Sequence, residues 1–210
     1  TAEQDPPMSL IAHLTELRDR LLRAVLAIVI GFVVLFPFAN EIYGFVSAPL
    51  RELMPAGSTM IATGVASPFL TPFKLSLVLA IFLAIPVILF QVWGFIAPGL
   101  YQKEKRIAVP LLASSVLLFY AGAAFAYFVV FPLIFAFFTS VGPDSVQVMT
   151  DINSYLDFVL KLFLAFGIAF EMPIVAVVLI WTGTTTADSL AAKRPYLILG
   201  CFVFGMLLTP

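Results

Sequence analysis

Apolar residues in this chain come in long runs separated by short polar clusters, and the clusters mark where the elements end. A membrane-crossing helix needs about 20 mostly apolar residues, roughly 17–25. The first such run is Leu21–Phe38, closed by Pro37 and Asn40. The second, Leu75–Ile96, starts behind Thr71-Pro72, a cap residue followed by a proline at the first helical position. The third lies in the uncharged stretch Ile107–Gly142 and is expected over 107–138. At about 1.5 Å per residue it is longer than a bilayer of about 30 Å is thick, so bends are expected at Pro110 and Pro132. The fourth follows the N-cap cluster Asp151-Ile152-Asn153-Ser154 and covers about 154–180. The fifth, Tyr196–Thr209, lies between Pro195 and Pro210. Its reach of about 21 Å requires a thinned bilayer or ends sheltered by neighbouring helices.

The segments between these runs have their own patterns. Residues 1–8 form a polar tail. Over 9–23 the period is helical: Leu10, Leu14, Leu17 and Leu21 make one stripe with Ile11 and Leu22 beside it. His13, Glu16, Asp19, Arg20 and Arg23 gather on the other side, and Arg18 projects from the middle of the apolar arc. This is the pattern of an amphipathic helix at the membrane interface, leading into the first span. Residues 39–73 make a long loop rich in proline, with a short helical cap expected over Ile42–Met54. Residues 97–106 and 182–195 are shorter polar connections.

Composition then fixes the class. The chain has 210 residues, of which 62% are hydrophobic and 11% charged, with a mean hydropathy of +1.10. A soluble domain carries about 25% charged residues, so the expected fold is an all-α integral membrane protein, a polytopic helical bundle. The 11 basic and 12 acidic residues leave a net charge of −1, which gives nucleic acid no basic field to bind. One cysteine and one histidine supply neither an internal disulfide nor a metal cage. No nucleotide-binding or nucleophile motif occurs, so neither a cofactor nor an enzymatic activity is expected.

The few charges set the orientation. Arg18, Arg20, Arg23, Lys103, Lys105, Arg106, Lys193 and Arg194 fall on one side of the span pattern. Arg51 and Lys74 fall on the other, with Lys161 near that end of the fourth span. The positive-inside bias places the N-terminus in the cytoplasm and the 39–73 loop outside.

Three acids carry candidate chemistry. Glu104 either pairs with the bases around it or meets Glu16 at the cytoplasmic face. Two carboxylates at a membrane rim would receive adjacent arginines, whose forked guanidinium lysine cannot copy. Glu171 lies near the membrane midplane, where a charged acid costs about 2.5–3.5 kcal/mol on insertion scales. Its options are protonation, an internal partner or a partner from another chain. Asp157 and Lys161 stand at i and i+4 and are expected to form a local ion pair. Gln91 and Ser114-Ser115 are read as helix–helix hydrogen bonds.

The chain resembles TatC, the multispan subunit of the twin-arginine protein translocase. The resemblance rests on His13-Leu-Thr-Glu-Leu-Arg18, Ser47-Ala-Pro-Leu50, Phe90-Gln-Val-Trp-Gly-Phe-Ile-Ala-Pro-Gly-Leu100 with Glu104, Phe166-Gly-Ile-Ala-Phe-Glu-Met-Pro173, Lys193-Arg-Pro-Tyr196 and Leu207-Leu-Thr-Pro210. It implies a receptor in the bacterial cytoplasmic membrane for R-R signal peptides of folded proteins, driven by the proton-motive force. Glu16, Glu104, Arg18 and Phe95 match the family's signal-peptide site. Glu171 matches its intramembrane contact with the single-span partners TatA and TatB, which would dock on the fifth span at Met206 and Thr209. Association with further copies of itself is also implied. The family plan has six spans, five of which fall within this sequence.

A proton-coupled small-solute carrier with Glu171 as its proton site is the alternative reading. An intramembrane protease lacks its serine–histidine or paired-aspartate set.

Overall fold

The computed structural model describes residues 10–53, 60–96, 105–141 and 151–208. The described residues form helices α1 (Leu10–Leu35), α2 (Ala39–Leu53), α3 (Ser67–Ile96), α4 (Lys105–Phe125), α5 (Phe131–Val141), α6 (Ile152–Phe170), α7 (Met172–Trp181), α8 (Ala187–Ala192) and α9 (Arg194–Leu208). Four helical stretches, 11–48, 67–95, 109–137 and 152–181, are long and apolar enough to cross a membrane, and α9 adds a shorter apolar helix. The chain is a polytopic helical membrane protein.

Several boundaries differ from the sequence pattern for physical reasons. The amphipathic segment is not a separate element: α1 runs unbroken from Leu10 to Leu35. Its apolar stripe faces outward, with Ile11 77%, Leu14 61% and Leu21 61% exposed, while its polar side turns toward α3. The second span begins two turns early. Ser67-Pro68 supplies the start signal, with Ser67 N–H donating to the Gly64 carbonyl, and Thr71-Pro72 lies inside the helix. The helical cap expected in the 39–73 loop is α2, joined to α1 by a single 3-10 turn at Phe36-Pro37-Phe38.

The third span deviates at one place. α4 passes through Pro110, and a π-helical stretch, Ala126–Val130, separates α4 from α5. Pro132 has no N–H for the carbonyl four residues back and its ring crowds that turn, so the widened turn falls just before it.

α1 lies along α3, α4 lies along α6, and α2 closes over α3 and α5 at the end remote from the N-terminus. The α4–α6 contact is a backbone approach between small residues, as membrane helices use to pack closely. A Cβ at Gly122 would collide with the Phe166 carbonyl oxygen, and one at Gly167 would come 2.7 Å from the Phe119 ring.

The largest core cluster sits under α2 and includes Val46, Leu75, Phe131, Phe135, Tyr155, Leu156 and Val159. Tyr155 donates its hydroxyl to the Val46 carbonyl at 3.0 Å, tying α6 to α2.

Polar groups lock the same end. Asp151 caps α6 by accepting from Ser154 N–H (3.0 Å) and reaches back to Thr63 N–H (3.1 Å). Those backbone donors, Ser154 first, hold its carboxyl well below the ordinary carboxylate range. Asp157 does not pair with Lys161. It accepts from Lys74 Nζ at 3.0 Å, and Asn153 accepts from the same ammonium at 3.3 Å. Packing of α3 on α6 gives Lys74 two acceptors, which outweighs an exposed i,i+4 pair of about 0.3–0.5 kcal/mol.

Candidate functional site

The sequence-predicted residues fall into three places. The first is where the start of α1 meets the end of α3. His13 stacks on Phe95, ring centroids 4.5 Å apart and planes inclined by 25°. One turn along α1, Glu16 accepts from Arg20, whose Nε is 2.9 Å from Oε1 and whose Nη2 reaches the same oxygen. The Arg20 guanidinium lies on the bare backbone of Gly94, where any Cβ would collide with Nη1. Beside the pair opens a recess of about 390 Å³ lined by Glu16, Asp19, Arg20 and Arg23.

Glu16 and Phe95 therefore share one rim. Arg18 does not join them. It is exposed and pairs with its neighbour Asp19 at 2.8 Å, the outlet for a guanidinium projecting from an apolar arc. Glu104 lies outside the described residues. Arg20, His13 and Gly94 were not singled out from the sequence. The Glu16-to-Arg20 spacing of four was legible as a helical pair; the seat on Gly94 was not.

The second place is the junction of α6 and α7. Pro173 cannot donate to the Ala169 carbonyl, so the helix breaks at Glu171, whose own N–H turns back to the Ile168 carbonyl at 3.0 Å. The break presents the Glu171 side chain to α4, where the Ser115 hydroxyl donates to Oε2. Its Oε1 is buried and has no hydrogen-bond partner among the described residues. Ser115 is thus the internal partner that the Ser114-Ser115 pair hinted at, while Ser114 bonds back to the Pro110 carbonyl at 2.8 Å. A carboxyl with one satisfied oxygen and one buried, unpartnered oxygen retains capacity for a further polar contact.

The third place is α9. Among the described residues its main contacts are with α6 and α8, and its apolar side chains stand clear: Tyr196 76%, Phe202 74% and Met206 72% exposed. Thr209 lies outside the described residues.

Among the described residues, an all-helical bundle with an acid–aromatic rim at one end and an acid at a helix break inside the bundle defines a multi-pass membrane protein. The match to known proteins gives the family. The model of TatC, the Sec-independent protein translocase protein, matches residues 12–210. The TatC protein of Azotobacter chroococcum mcd 1 is 66% identical over 208 residues, covering 99% of this chain and 82% of the relative. That of Escherichia coli strain K12 is 59% identical over 201 residues, covering 96% and 78%. A crystal structure of the twin-arginine translocase receptor TatC superposes with a TM-score of 0.85 at 42% identity, covering 94% of this chain and 87% of that one.

The chain belongs to the TatC family. It is a non-enzymatic subunit of the twin-arginine translocase, a multi-pass protein of the bacterial inner membrane. The solute-carrier reading of Glu171 gives way to protein translocation.

Proposed function

We propose that the rim built from α1 and the end of α3 is the receptor site for signal peptides carrying adjacent arginines, and that it faces the cytoplasm. The observation that carries this reading is the Glu16 carboxylate, which accepts a guanidinium through two nitrogens beside the Phe95 ring. A carboxylate oxygen that accepts two N–H groups of one guanidinium suits another, and a lysine ammonium does not present two coplanar donors in this way. Glu104 supplies the second carboxylate, Phe95 an apolar face for the peptide, and Arg18, paired with Asp19 away from that rim, a charge that attracts the peptide's acidic groups.

Glu171 and α9 are the docking elements for single-span partners of the TatA and TatB type. The unpartnered Oε1 of Glu171 favours a polar group from a partner helix. The exposed apolar surface of α9 around Met206 favours a helix laid along it, and Thr209 is proposed as part of the same docking region. Cargo release into the partners draws on the proton-motive force, and the receptor associates with further copies of itself.

Photo-crosslinking of an R-R signal peptide to the receptor in membranes tests the site. Glu16→Lys and Glu104→Lys are each expected to abolish crosslinking and export. Retention of both activities in the two variants sinks the proposed site.

A further inference from the structure

The Glu16 carboxylate is already occupied. Arg20 and Glu16 are 22% and 29% exposed as side chains, against 68% for Arg18. An i,i+4 pair free on an exposed helix holds weakly. This one is half-buried, and its guanidinium lies in the space that the missing side chain of Gly94 leaves open. Both donating nitrogens converge on Oε1, and Glu16 lines the recess together with Asp19, Arg20 and Arg23.

Resting on the reading of Glu16 as a guanidinium acceptor, we propose that Arg20 is a resident ligand of the receptor site, which a signal-peptide arginine displaces on binding. The incoming guanidinium makes the same charge-assisted bonds that Arg20 gives up, so the exchange at this carboxylate is close to neutral. A lysine offers a point charge in place of the fork and exchanges at a loss. One cation is therefore not enough to hold a peptide. Net affinity comes from what the peptide adds beyond the exchange: a second arginine and an apolar segment. The displaced Arg20 swings into the recess, where Asp19 offers an acidic neighbour.

Arg20 thereby sets a threshold. It reduces the apparent affinity of every peptide that uses Glu16 by the fraction of receptors whose Glu16 is free. Peptides with one arginine drop below the bound range at working concentration, and twin-arginine peptides stay above it.

The test is the affinity of fluorescent peptides carrying R-R, K-R or K-K for the receptor in lipid nanodiscs. Arg20→Gln is expected to tighten all three by a common factor of up to about five. Arg20→Lys is expected to fall between the native protein and Arg20→Gln. Gly94→Ala, which keeps Arg20 and removes its seat, is expected to tighten binding in the same direction, so the outcome does not hang on one variant. In the Glu16→Gln background, Arg20→Gln is expected to change nothing. Weaker or unchanged binding in Arg20→Gln and Gly94→Ala, with Glu16→Gln still weakening R-R binding, would overturn the resident-ligand role and leave the receptor site standing. R-R binding that is insensitive to Glu16→Gln would overturn the receptor site itself.

Discussion

Ser115 on α4 donates its hydroxyl to Glu171 at the break between α6 and α7, so the intramembrane acid is held by a helix 56 positions away in sequence. Removing the donor leaves both acid oxygens without a hydrogen-bond partner among the described residues. Ser115→Ala is expected to lower stability in detergent by about 1–3 kcal/mol, and Ser115→Thr, which keeps a hydroxyl, by less. Thermal melting of the two purified variants distinguishes a satisfied carboxyl from a chance contact, since equal losses would mean the hydroxyl contributes nothing.

The backbone approach of α4 and α6 is the second point of stress. Gly122→Val forces a side chain against the Phe166 carbonyl, which is backbone and cannot swing away. Overpacking of this kind costs about 1–3 kcal/mol. Gly200→Ala on α9, with nothing within 4 Å of the added Cβ, is expected to melt as the native protein does.

Lys74→Met removes the cation shared by Asp157 and Asn153 and is expected to cost up to about 1 kcal/mol, because the pair is partly exposed. Lys161→Met is expected to be neutral. The reverse order of effects in denaturant titrations would restore the local Asp157–Lys161 pair.

Asp151 gives a pH signature. Its folded value lies below the unfolded one, so its stabilisation is complete above about pH 4 and is lost as pH falls toward the folded value. Asp151→Asn is expected to be less stable than the native protein at pH 6, with the difference shrinking at pH 3. A gap that is constant between the two pH values would show that the cap is not titrating.

What the sequence made legible follows from what is local. Apolar runs located the spans and put the 9–23 and 97–106 segments on one side of the membrane, while Phe95 entered the site only through the family resemblance. Glu171 stood out because an acid ten positions from Trp181 has no cheap place in a membrane. Contacts between helices were not legible in the same way. Asp157 had a plausible partner at i+4 and a better one on α3. Ser115 was one polar residue among several until packing set it against Glu171. Thr71-Pro72 and Ser67-Pro68 carry the same start signal, and only the tertiary burial of Thr71 places it inside the helix. Gly94 carries no sequence signal, because its role is to lack a side chain where a guanidinium rests.

The most direct measurement of the receptor site is a photo-crosslinking map of an R-R signal peptide in native membranes, with the crosslinker placed in turn across positions 9–23 and 90–106. Crosslinks are expected to concentrate near Glu16 and Phe95, to vanish in Glu16→Lys, and to be absent for a K-K peptide. A map that peaks elsewhere in these segments, or one unchanged in Glu16→Lys, would contradict the assignment of this rim as the site where the twin arginines bind.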